Sequence, residues 1–104
     1  MSDRIESIRQ MLADSGDDIF LIYSLGMELA SAGRWEEAAA EFRRCVELDE
    51  NYLAAYAEGG KALRAAGQIE QAREMFAAGI ELAAAQGESH TRDYLMSQLE
   101  GLGG

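Results

Sequence analysis

Proline is absent from this 104-residue chain, so no residue is obliged to break a helix. Cysteine occurs once, at Cys45, which rules out an internal disulfide. Lysine also occurs once, at Lys61, and 9 basic residues stand against 19 acidic ones for a net charge of −10. Such a surface repels phosphate and has no basic patch to release counterions, which argues against nucleic acid as a partner. Anionic lipid is disfavoured for the same reason. No stretch is apolar for long enough to span a membrane. The opening MSDRIESIRQ lacks the basic start and apolar run of a secretory signal. The expected location is therefore cytoplasmic. Strand-like runs of Val, Ile and Thr are missing as well.

What remains is a helix-forming composition. Alanine, leucine, glutamate and arginine dominate, and all are good helix formers. The apolar share of 48% is enough for a folded core, and the length suits one domain of modest stability. The acidity fits a basic or apolar partner, or serves only to keep the chain in solution; both readings stand.

A shift of 34 residues lays the sequence on itself. Gly26 falls on Gly60, Leu29 on Leu63, Gly33 on Gly67, Ala38 on Ala72 and Phe42 on Phe76. Each unit reads as two helices. Ile22, Leu25, Gly26 and Leu29 share one face of a first helix. Gly33 ends it. Trp35 to Leu48 forms the second, with Ala38, Phe42, Cys45 and Val46 inside. The next unit repeats this with Tyr56, Gly60 and Leu63, then Gly67, then Ala72, Phe76, Gly79 and Ile80. The glycines and alanines leave room for close helix approach, and the phenylalanines fill the space between. Units of this kind cannot bury their apolar faces alone and must stack on a neighbour.

These residues resemble the tetratricopeptide repeat family, in a small protein of bacterial type. The signature stands as Ile22-x-x-Leu25-Gly26-x-x-Leu29 with Ala38-x-x-x-Phe42, and again as Tyr56-x-x-Gly59-Gly60-x-x-Leu63 with Ala72-x-x-x-Phe76. Glu50 and Ala84 replace the proline that often closes a repeat, and Ile22 and Tyr56 stand in for the usual tryptophan. The expectation is one all-α domain over 1–104, an antiparallel stack of about six helices, right-handed as the resemblance implies. Residues 3–14 form a lone second helix, a half repeat in which Ile8 aligns with Phe42, Met11 with Cys45 and Leu12 with Val46. Repeats follow at 19–52 and 53–86. A capping helix spans 88–100 with Thr91, Tyr94, Leu95, Leu99 and Leu102 on its apolar face, outside the strict 34-residue register, and 101–104 is a flexible tail.

The resemblance also implies a site. First helices of such repeats line a concave groove that holds a peptide or a helix. Carried over by position, the lining is Phe20, Tyr23, Ser24, Met27 and Ser31, then Ala54, Ala57, Glu58, Lys61 and Arg64, with Arg92 from the last helix. Phe20, Tyr23 and Met27 make an apolar strip on the side away from Ile22, Gly26 and Leu29. Either this strip is open or the half repeat or the C-terminal cap covers it. The clamp that some family members use for chaperone C-termini is not expected, because its positions carry Tyr23, Met27, Glu58, Glu88 and Arg92, and Glu58 repels a carboxylate.

No catalytic constellation stands out. Cys45 fits a buried structural position, and His90 has no nucleophile or orienting group in view. Gly59-Gly60-Lys61 resembles a phosphate loop but lies inside a helix, without the other glycine and hydroxyl. Asp17-Asp18 and Glu36-Glu37 read as helix-start residues rather than metal ligands. The expected function is a non-catalytic adaptor or scaffold for another protein or peptide, with no cofactor and no metal. The alternative is a self-associating chain or a subunit of an assembly, a weak homodimer through Tyr94, Leu95 and Leu99.

Overall fold

A computed structural model of the chain describes residues 3–103. Six helices run in order: α1 (Asp3–Ser15), α2 (Ile19–Ser31), α3 (Trp35–Leu48), α4 (Leu53–Ala65), α5 (Ile69–Gln86) and α6 (Ser89–Glu100). Among the described residues there is no strand. No described helix is long and apolar enough to cross a membrane.

Local chemistry sets the boundaries. The Asp18 carboxylate caps α2, accepting from the Phe20 and Leu21 amides at 3.0 and 3.3 Å. Gly33 and Gly67 lie in the left-handed region at φ 75° and 81°. There the chain doubles back, and the next amides close the helix: Arg34 donates to the Leu29 carbonyl and Gln68 to the Leu63 carbonyl, both at 2.9 Å. An L side chain at either glycine costs about 1–2 kcal/mol, because its Cβ crowds the following carbonyl. In the first of these turns Arg34 Nε donates to Glu37 Oε1 at 2.7 Å, and Trp35 is partly exposed beside them. Glu36 and Glu37 in α3, and Glu70 in α5, place negative charge at a positive helix end.

Packing follows the repeat. A Cβ at Gly26 would sit 2.7 Å from the Phe42 ring, and one at Gly60 would sit 2.4 Å from the Phe76 ring. Each glycine is thus a socket for the phenylalanine of its partner helix. Both rings are fully buried, as are Ala38 and Ala72. Burying each ring stabilises the fold by about 2–3 kcal/mol. Ala39 is buried too, a position that the pattern did not single out.

At the N-terminal end α1 runs one residue further than expected and presses Ile5, Ile8 and Leu12 onto the core that holds Leu25 and Leu29. Arg4 reaches Glu28 at 3.1 Å and Arg9 reaches Glu37 at 3.3 Å. One expected equivalence fails. Cys45 is buried beside Ile22, whereas Met11, aligned with it, is 47% exposed. Cys45 has a first helix of its own repeat to cover it, and among the described residues α1 has none.

At the other end the departure from register has a simple origin. By the repeat, α5 should end at residue 82, opposite Leu48, but it continues to Gln86, and the connection to α6 is two residues instead of four. Four added and two removed move α6 to 36 residues after α4 (Leu53 to Ser89). Leu95 therefore takes the place of Gly59 and packs, fully buried, on Gly79 of α5. Leu99 and Leu102 also pack against the core. Tyr94 does not, contrary to expectation: it is exposed. Beyond α6, Arg73 Nη2 donates to the Gly103 carbonyl at 3.4 Å. Gly104 lies outside the described residues.

Candidate functional site

The half repeat does not cover the apolar strip. α1 lies along the Leu21, Leu25 and Glu28 side of α2. The side carrying Phe20, Tyr23, Ser24 and Met27 has no described element over it, while Ser31 lines a hollow with Ile5 of α1. Phe20 is 75% exposed and Met27 38%. Tyr23 between them is inlaid rather than proud. Its ring meets Phe42 edge-on at 5.5 Å and Tyr52 at 5.3 Å, so it forms the floor of the strip and ties it to the core. Burial, with a smaller push from the Glu58 charge, raises the Tyr23 phenol to about 12. Tyr23 is thus a neutral, fixed surface over the ordinary pH range.

The second repeat presents different chemistry on the same face. Ala57 stands where Tyr23 stands in the first, and at 9% exposure it belongs to the core, so it leaves the lining. Ala54 is exposed and contributes little. Glu58 and Lys61 pair along α4 at 3.5 Å. Lys61 Nζ also lies 5.9 Å from the centre of the Tyr94 ring. Partial burial draws the Lys61 ammonium down, but Glu58 and Tyr94 outweigh it and hold its pKa above the usual lysine value. Arg64 hydrogen-bonds Gln98. The α6 residues that join this face are thus Tyr94 and Gln98. Arg92, expected there, pairs with its neighbour Asp93 at 3.2 Å. The two-residue slip explains both results, because it rotates α6 by more than half a turn relative to the strict repeat. Gly87, in the left-handed region at φ 73°, ends α5 four residues later than the repeat would, and it is the sequence signal that could have revealed the slip.

A depression of about 360 Å³ lies elsewhere, at the α2–α3 turn between Arg34, Trp35, Glu37 and Ala66. It is a shallow hollow beside an ion pair and brings no reactive groups together. Among the described residues no three His, Cys, Asp or Glu side chains are placed to hold a metal ion. Cys45 is buried, and burial raises its thiol to about 11, which suppresses the nucleophilic thiolate.

Comparison with known proteins agrees with this architecture. The family model for the tetratricopeptide repeat matches residues 20–52. A tetratricopeptide-repeat-containing protein of Pseudomonas aeruginosa is 39% identical over 84 residues, covering 81% of this chain and 80% of its own. The solution structure of a Bordetella parapertussis protein superposes with a TM-score of 0.81 at 26% identity, over 94% of this chain and 85% of that one. The TPR2B domain of yeast Sti1, solved in a pHsp70 complex, reaches a TM-score of 0.84 at 18% identity, over 94% of this chain and 78% of that one, and shows the shared fold. Two glycine–phenylalanine sockets one repeat apart, and a relative matched across four-fifths of both chains, lead to one assignment: the chain belongs to the tetratricopeptide repeat family.

Proposed function

We propose that the protein is a non-catalytic adaptor or scaffold that holds a peptide or helix of another polypeptide along the face of Phe20, Tyr23 and Met27. The observation that carries this reading is the strip itself: two large apolar side chains exposed on a helix face that the stack does not use. Methionine adapts to varied shapes, and the Tyr23 ring gives a rigid floor. An amphipathic segment with apolar residues three or four apart suits such a strip. At the far side Lys61 and Arg64 are already engaged by Glu58, Tyr94 and Gln98, so specificity rests on the apolar half. The yeast Sti1 domain is solved with pHsp70; here Tyr23, Met27 and Glu58 stand at the clamp positions, and a chaperone carboxylate is not the expected ligand.

Pairing of two copies through Tyr94, Leu95 and Leu99 has less support, because Leu95 is occupied inside its own stack. The test is selection of binders from a random peptide library on the immobilised chain, repeated on Met27→Glu. The expected outcome is a family of apolar, helix-compatible peptides that Met27→Glu and Phe20→Ala no longer hold, with circular dichroism unchanged. Peptides that bind these folded variants as well as the wild type would remove the strip from consideration.

A further inference from the structure

The two ends of the stack are unlike, and they are complementary. α1 packs on α2 as a second helix packs on the first helix of the next repeat, with no described first helix of its own. α6 packs on α5 as the first helix of a third repeat, with no described second helix. Each end is half of one helix pair.

The unpartnered face of α1 is a shallow apolar groove of about 280 Å³ lined by Arg4, Ser7, Ile8 and Met11. By the 34-residue shift, Arg4, Ile8 and Met11 stand where Ala38, Phe42 and Cys45 stand in α3. Those three face α2, the first helix of their own repeat. The groove is thus where such a first helix belongs. On α6 the corresponding outward position is fixed by the 36-residue offset. Met96 takes the place of Gly60, and it is 45% exposed.

We propose that the α1 groove receives α6 of a second copy, so that copies stack head to tail and each junction completes a helix pair. The internal pairs serve as the template. Phe42 fits the socket of Gly26, and Phe76 that of Gly60. At the junction the bulk is redistributed: Ile8 replaces the phenylalanine and Met96 of the neighbour replaces the glycine. Because paired helices are antiparallel, the start of α1 lies beside the end of the neighbour's α6. Arg4, which reaches Glu28 of its own chain at 3.1 Å and is otherwise exposed, then also stands near the exposed Glu100 of that copy, an attractive contact at the rim. The contact joins two different surfaces, so it does not close on itself at two copies and permits longer stacks. A net charge of −10 per copy opposes it, so association strengthens as salt screens the repulsion.

The experiment is sedimentation velocity on the full chain across a wide concentration range, at low and high salt. The expected wild-type result is an average mass that climbs past the dimer with concentration, more steeply at high salt. Met11→Glu and Met96→Glu each bury a charge at the junction and weaken association on the order of tenfold or more. Mixed, the two variants form a one-to-one pair and stop there, because each supplies the end that the other has lost. Ser7→Arg replaces Met11→Glu should that variant unfold. Met27→Glu, on the groove face, leaves association unchanged, which separates this surface from the peptide site. The proposal is overturned by a wild type that is monomeric throughout, by a dimer that persists in Met96→Glu, by a mixture of the two blocked variants that does not pair, or by loss of association in Met27→Glu.

Discussion

The two repeats share one interior and present two different faces. Inside, Gly26 with Phe42 and Gly60 with Phe76 repeat the same contact, and Ala38 and Ala72 are equally buried. On the outer face, Phe20 and Met27 of the first repeat become Ala54 and Lys61 in the second, while Tyr23 gives way to the buried Ala57. A close-packed interior punishes any change of volume. A surface position off the core carries no such constraint, so chemistry differs between repeats where geometry does not. The proposed peptide site lies where the two repeats differ at the surface.

The strongest way to break this comparison is to remove a ring. Phe42→Ala and Phe76→Ala should each cost about 3–5 kcal/mol, measured by chemical denaturation. Unequal costs would mean that the sockets are not equivalent, and the Tyr23 ring on Phe42 is one visible difference. A finer test uses the adjacent glycines of α4. Alanine at Gly60 meets the aromatic ring of Phe76 at 2.4 Å and should destabilise by about 1–3 kcal/mol despite its better helix propensity. Alanine at Gly59 meets only the flexible end of Met75 at 2.4 Å, with Phe42 Cβ at 3.2 Å, and should fall within about 1 kcal/mol of wild type. Equal melting of the two variants would show that the ring sockets do not govern the spacing of the helices.

The smallest expected effect is one of pH, and the two largest shifts behind it lie in the first repeat. Cys45 and Tyr23 both belong to the first repeat, and their counterparts are Gly79 and Ala57. Burial raises the thiol from 9.0 to about 11 and the phenol from 10.0 to about 12. The folded state thus keeps protons that the unfolded chain gives up first. Their contribution is fully present below pH 9.0 for the thiol and below pH 10.0 for the phenol, and it is lost as pH rises through about 11 and about 12. Denaturation midpoints should fall across that window, and fall less in Tyr23→Phe. An identical decline in Tyr23→Phe would mean that the phenol is not buried as described.

Sequence periodicity was enough to place α2 through α5, because the glycines, alanines and phenylalanines that set the packing are the same residues that make the pattern. Trp35 to Leu48 is helical from the first residue to the last as expected. The strip was legible too, since Phe20 and Met27 lie opposite the core positions on a helical wheel. Two features were not. Ala57 is too small for its position alone to say whether a neighbour covers it. The placement of Tyr94 and Arg92 depends on where α5 stops, and the run Glu81 to Gln86 continues as a helix simply because alanine and glutamine permit it.

Trp35 is the only tryptophan in the chain, and it sits partly exposed in the turn of the first repeat. Its emission therefore reports on one half of the stack and is silent on the other, where the aromatic signals come from Tyr56, Phe76 and Tyr94. Fluorescence and far-ultraviolet dichroism recorded on one sample thus form a built-in pair of probes. If their unfolding curves coincide, the two repeats melt as one unit. If the emission changes first, the first repeat opens while the second still stands.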